Sequence, residues 1–363
     1  MTDFFSFIRQ VLVSSLSMLN GASGWMIFSF FVAGCLHEFL KPENIQKTAI
    51  GTKKISGVFY ATVTGMFIPI CSCGTIPLAI SMYYSGVYLG PTLAFMVSTP
   101  IINPIALLLA FGMLGKRIAI IYLITGFVAP MIIGIAGNRL AGDELHINMD
   151  GDTEAIQLES AKTGFWEKLK TGMTWSFTDL SVTISKYTVS GMLIAGLIFN
   201  SVPQTFIQEY LGNPGFVSLL GITVVAALMY VCAVGHIPFI AALVASGASP
   251  GIAITFLMAG AGTNIPELLT ISRTIGKRAM LIYFSFVVIL SNIAGYVANR
   301  ILLPGFKPVL DYDQTKKSIN LANHMIISMP EWVQYLCSFI LIGYACVSLY
   351  RWVVSLTRAK ETA

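Results

Sequence analysis

The feature that most restricts how this chain folds is an internal repeat that runs without a gap. Cys71-Ser72-Cys73-Gly74-Thr75-Ile76-Pro77 recurs as Cys232-Ala233-Val234-Gly235-His236-Ile237-Pro238, 161 residues further on. At the same offset Ser85-Gly86 pairs with Ser246-Gly247, Phe95 with Phe256 and Asn103 with Asn264. Gly115-Lys116-Arg117 likewise pairs with Gly276-Lys277-Arg278, and Asn138-Arg139 with Asn299-Arg300. Shared hydrophobicity does not place glycines, prolines and polar residues in one register, so the chain reads as two copies of one structural unit.

The unit is apolar. Of 363 residues, 55% are hydrophobic and 11% charged, and mean hydropathy is +0.76. A soluble domain carries about 25% charged residues. There are too few charges here to coat a soluble globule, which excludes a soluble enzyme and a disordered chain alike. The fold class is an all-α polytopic membrane protein of the cell membrane. A crossing needs about 20 apolar residues, and 24–40, 118–137, 183–199, 279–298 and 332–356 qualify. Two longer apolar stretches, 57–114 and 216–275, are interrupted in their middles by Pro, Gly and Asn. The expected layout is a first membrane repeat at 1–140, an acidic linker at 141–163 and a second repeat at 164–301. An extramembrane loop at 302–331 and a C-terminal transmembrane helix at 332–363 follow.

Residues 4–10 align with 165–171. Both segments look amphipathic and are expected to lie in the membrane interface. Each repeat would then have about four crossings. An even count makes the repeats parallel, with both Gly-Lys-Arg stretches on the cytoplasmic face, whereas an odd count would invert them. The net charge of +5 fits Lys and Arg gathered in cytoplasmic loops. No run of Lys or Arg exceeds two residues, so a nucleic-acid partner is not indicated. The N-terminal stretch lacks the basic region and cleavage site of a secretory signal.

Backbone that leaves a helix at membrane depth is tolerated only where it is buried in protein or lines a cavity. Pro69 and Pro77 bracket Cys71-Ser72-Cys73-Gly74, and Pro100 and Pro104 bracket Asn103. Gly235 and Pro238 bracket His236, and the stretch 259–267 carries two Gly residues, Thr263, Asn264, Pro266 and Glu267. Prolines that merely kink packed helices are the plain alternative. Four breaks at matched positions, each beside polar residues, point instead to discontinuous helices that build a transport site.

Opened backbone lets Cys71 and Cys73 turn their sulfurs to one small centre, and thiolates select soft species such as Cu(I), Zn(II) or trivalent arsenic. Cys232 and His236 sit at the matching positions of the second half. Against this, free Cys often packs as a small hydrophobe, which is the reading for Cys35, Cys337 and Cys346. The candidate substrate-binding residues are Cys71, Cys73, Asn103, Cys232, His236, Thr263 and Asn264. Cys71 and Cys73 are also the candidate metal ligands, and no resident cofactor is expected. His236 and Glu267 are ionisable within apolar stretches and are candidates for proton coupling. Glu267 also has a capping alternative at a helix start. No phosphate-binding loop is present, so ATP hydrolysis by this chain is not indicated.

On the stretch 69–77, on Ser85-Gly86, on Phe95 and 98–100, and on 235–238 and 262–264, the sequence resembles the YraQ/ArsP group of predicted permeases, over about residues 4–300. The resemblance implies a secondary exporter. It implies trivalent organoarsenicals such as methylarsenite as one substrate class, and copper or zinc as another. Within the group the chain is similar to members found with anaerobic organoarsenical-resistance systems, SaoE-like proteins among them. The expected function is efflux of a small thiol-reactive species or a metal ion across the bilayer, with no enzymatic step. A membrane thiol redox protein is the alternative of another class, disfavoured by the strain of a bridge between cysteines two residues apart. The sequence leaves the oligomeric state open.

Overall fold

The computed structural model describes residues 2–39, 49–68, 72–146, 165–201, 215–228, 236–237, 240–241, 243–244, 248–303 and 330–361. Every regular element among them is helical. The first half comprises α1 (Thr2–Phe39), α2 (Ile55–Phe67), α3 (Ser72–Tyr84), α4 (Leu89–Ile101), α5 (Pro104–Leu109) and α6 (Lys116–Leu140). The second comprises α7 (Phe165–Trp175), α8 (Ser181–Ser201), α9 (Phe216–Leu228), α10 (Pro250–Gly262), α11 (Ile265–Thr274) and α12 (Lys277–Leu302), and α13 (Glu331–Glu361) follows. A π-helical turn, Ala110–Leu114, extends α5, and another, Ser176–Leu180, joins α7 to α8. The all-α polytopic fold expected from composition is the fold observed, with five helices among the described residues long and apolar enough to cross, or six counting the bent pair α10–α11.

The expected interfacial helix at 4–10 is instead the start of α1, which continues unbroken to Phe39. At about 1.5 Å per residue its 38 residues are ample for a hydrocarbon core of about 30 Å. The polar residues along it do not end it because they bond to its own carbonyls. Ser15 Oγ donates to Val11 O at 2.8 Å and Ser23 Oγ to Asn20 O at 2.9 Å. Residues 165–171 likewise belong to a run that passes from α7 through its π turn into α8.

α2 and α3 form a hairpin within the membrane. The start of α2 lies at the C-terminal end of α6, where Asn138 Nδ2 donates to Lys53 O at 2.9 Å. The end of α3 lies there too. Tyr83 Oη donates to Glu144 O at 2.8 Å, and His146 Nε2 is 3.1 Å from Gly86 O. Each arm has 13 residues, about 20 Å of helix, so α3 returns to the face from which α2 entered. The second membrane segment of the first half therefore does not cross. That leaves three crossings, α1, α4–α5 and α6, and three is odd.

The halves are accordingly inverted, which corrects the parallel reading. α6 is 25 residues long, and its two ends lie on opposite faces. Just beyond its C-terminus, Glu144 caps the first turn of α12. Its two carboxylate oxygens accept from Arg278 N at 3.3 Å and Ala279 N at 2.9 Å. Lys116 and Lys277 correspond in the repeat, yet α6 starts on one face and α12 starts on the other. The two Gly-Lys-Arg stretches thus lie on opposite faces. Lys53, Lys54, Arg139, Lys277 and Arg278 share the linker face, and Lys116, Arg117 and Arg300 lie opposite.

The repeat recurs in packing as well. Gly90 N donates to Asn138 Oδ1 at 2.8 Å, and Gly251 N to Asn299 Oδ1 at 2.7 Å. A Cβ at Gly90 would overlap Gly134 O and Asn138, and one at Gly251 would overlap Gly295 O and Asn299. Helix pairs α4/α6 and α10/α12 therefore touch backbone to backbone. Every residue of α4 and α10 is buried. Around them α1, α6, α12 and α13 present Phe28, Ile124, Ile293, Phe339 and similar side chains outward, the surface a lipid environment requires.

Candidate substrate site at the helix breaks

The two buried helices at the centre are both interrupted. α4 ends at Ile101, Ile102 leaves helical geometry, and Asn103 is extended ahead of Pro104. Proline disfavours helical geometry in the residue before it, which fixes the break there. Asn103 then caps α5, its Oδ1 accepting from Ala106 N at 2.7 Å. In the second half α10 ends at Gly262, Thr263 and Asn264 form the gap, and α11 leaves at a bend of 40°. Asn264 makes no side-chain bond that caps α11. Thr263 Oγ1 donates back to Ala259 O at 2.6 Å. Asn103, Thr263 and Asn264 are all buried.

Glu267 sits in the first turn of α11 and is 1% exposed. Its Oε1 accepts from Tyr283 Oη of α12 at 2.7 Å, and its Oε2 has no hydrogen-bond partner among the described residues. The repeat equivalents are Ala106 and Tyr122, and Tyr122 Oη donates to Ile101 O at 2.5 Å. One tyrosine thus closes the break of its own half, and its counterpart holds a carboxyl. Tyr283 is the residue that sequence reasoning missed. Its signal was the matched pair Tyr122/Tyr283 inside apolar runs, where an aromatic is usually taken as core.

Phe95 and Phe256 are buried, and the His236 ring stands 6.0 Å from that of Phe256. His236 therefore lies beside the broken helix α10. Cys71 and Cys232 fall outside the described residues. Cys73 lies in the first turn of α3, so the backbone of 72–74 is helical. This corrects the expectation of unwound backbone through Gly74. Pro77 does not break α3. It removes the amide that would pair with Cys73 O, leaving that carbonyl without its helical donor. Cys35 is half-buried, Cys337 is buried, and Cys346 is exposed on the outward side of α13. No three His, Cys, Asp or Glu side chains cluster as a metal site among the described residues.

Inverted halves, a hairpin and two broken, fully buried helices define a membrane transporter of the permease class. The chain belongs to the ArsP_1 predicted permease family, whose profile matches residues 8–300. Its relatives include a UPF0718 protein of Methanocaldococcus jannaschii, 26% identical, covering 76% of this chain and 91% of that protein. The UPF0718 protein YcgR of Bacillus subtilis is 25% identical, covering 76% and 92%. YraQ of Escherichia coli is 20% identical, covering 74% and 75%. No solved structure matches the chain.

Proposed function

We propose that this permease is a secondary exporter of a thiol-reactive soft species, trivalent organoarsenicals such as methylarsenite first among them, across the cytoplasmic membrane. The observation that supports it is a pair of buried helix breaks carrying polar residues, with a cysteine in the first turn of a neighbouring helix. Cys73 lies in the first turn of α3, which packs on α11, and Asn103, Thr263 and Asn264 stand at the buried breaks of α4–α5 and α10–α11. Two exchangeable sulfur bonds suit a cargo that must be released, whereas a closed four-ligand cage would retain it. Phe95 and Phe256 provide an apolar wall for a methyl or aryl substituent. Among the described residues the linker face carries more Lys and Arg than its opposite, which makes it the cytoplasmic one by the positive-inside rule.

Inside-out vesicles carrying wild-type protein or the Cys71→Ser/Cys73→Ser variant test this reading. Methylarsenite uptake is expected to fall at least about tenfold in the variant, the factor that accompanies loss of about 1.4 kcal/mol of binding. Equal uptake by both proteins removes the thiols from the mechanism. Copper or zinc uptake that exceeds methylarsenite uptake and is lost on His236→Ala would move the cargo to a metal ion.

A further inference from the structure

The duplication supplies its own control for reading Glu267. The other polar residues at the breaks of α4–α5 and α10–α11 each have a structural duty that accounts for them, or a counterpart of the same type. Asn103 caps α5, and Thr263 bonds to its own helix. Glu267 has neither such a duty nor a polar counterpart, because the repeat places Ala106 there. A carboxyl is costly in an apolar interior unless all its lone pairs are met. Here Tyr283 meets one oxygen, and the other is buried and has no hydrogen-bond partner among the described residues. A capping role does not account for that free oxygen.

We infer that Glu267 is the loading site of the coupling proton, with Tyr283 as its positioning residue, and that coupling resides in the second half alone. Resting on the export reading, this names the driving ion of the same site. Loading forms an O–H bond at Glu267 Oε2, and release breaks it. No electron moves, and no co-reactant is needed. A proton suits the place better than a metal ion, since hard cations take about six or more oxygen ligands and one open oxygen is offered. Few other ionisable groups face the site. α10 carries none, and α8 contributes Lys186 and Tyr187, one turn before the Gly191 that packs on Pro266. α3 contributes Tyr83 and Tyr84, Tyr84 donating to Thr274 O at 3.0 Å, and α11 itself adds Arg273. On α12, Tyr283 is the group in contact, while Lys277, Arg278, Tyr296 and Arg300 lie toward its ends.

The site lies beside the bend in the second broken helix. Glu267 is one turn past the bend between α10 and α11, and Tyr283 is on the neighbouring crossing. A shift of α11 relative to α12 changes what the open oxygen faces, so proton affinity and helix position are linked.

Two readouts test this, one independent of cargo. In infrared titration of the purified full-length protein, a carboxylic C=O band that comes and goes with pH is expected in wild type and absent in Glu267→Gln. Tyr283→Phe should displace its midpoint by about one pH unit or more, the scale of a hydrogen bond to a charged group. Tyr122→Phe should leave the midpoint in place. In vesicles, Glu267→Gln should lose accumulation of methylarsenite driven by a pH gradient while still exchanging internal for external methylarsenite. A band that survives in Glu267→Gln, a midpoint unmoved by Tyr283→Phe, or undiminished gradient-driven accumulation in Glu267→Gln overturns the inference. Should Glu267→Gln fail to fold, Tyr283→Phe decides alone. Wild-type protein that shows the titrating band yet carries no methylarsenite would sink the cargo assignment and leave the proton site standing.

Discussion

At the scale of single residues, the repeat assigns work to side chains that look ordinary in isolation. Asn138 and Asn299 each accept a buried backbone amide from a glycine 48 positions earlier, and each does so on its own face. Replacing either with Ala leaves that amide unmet in an apolar interior, at a cost of about 1–3 kcal/mol. Thermal unfolding in detergent should show a comparable loss for Asn138→Ala and Asn299→Ala, and the double variant should lose roughly the sum. The matched Asn residues were visible in the sequence because each clamp needs a particular amide in a particular place. Tyr283 was not, since nothing in a linear apolar run says which aromatic reaches across to a neighbouring helix. Cys71 and Cys73 were legible as chemistry but not as geometry. Two prolines suggested opened backbone through Gly74, and a helix that begins at Ser72 tolerates the second of them.

At the scale of elements, the breaks of α4–α5 and α10–α11 fell where Asn and Pro place them, and the π turns were invisible to periodicity. The cap on α12 belongs at this scale. Glu144 comes from outside that helix yet satisfies its first free amides and meets the positive end of its dipole. Gly276, at φ +152°, lies directly against the same carboxylate, and a Cβ there would collide with it. Glu144→Ala should destabilise the fold by about 0.5–2 kcal/mol, the usual range for a lost cap. Gly276→Ala should cost more, because it strains the backbone and evicts the cap together. Chemical denaturation of the two variants against wild type measures both.

At the scale of the whole molecule, direction was the property the sequence hid. An offset of 161 says which residues correspond and nothing about which way each half threads. The parity of crossings decides that, and parity turned on whether 4–10 lies flat and whether the second segment passes through. Neither is encoded in a composition window. α1 continued because no proline or glycine stops it between residues 8 and 20. The hairpin turned back because α2 and α3 are each too short to cross. The inverted arrangement is checked by labelling single cysteines with a membrane-impermeant thiol reagent in a cysteine-free background. Lys116→Cys and Lys277→Cys are expected to react from opposite sides of the membrane, and reaction from the same side would restore the parallel reading.

The strap at 141–146 leaves α6 and fastens at once to the start of α12, so the boundary between the halves doubles as a rivet. A chain severed a few positions later, within 147–164, keeps that rivet on its leading fragment. Expressed together as two polypeptides, such fragments should co-purify, and charge reversal at Glu144 should weaken their association by at least the ~0.5–2 kcal/mol of the lost cap.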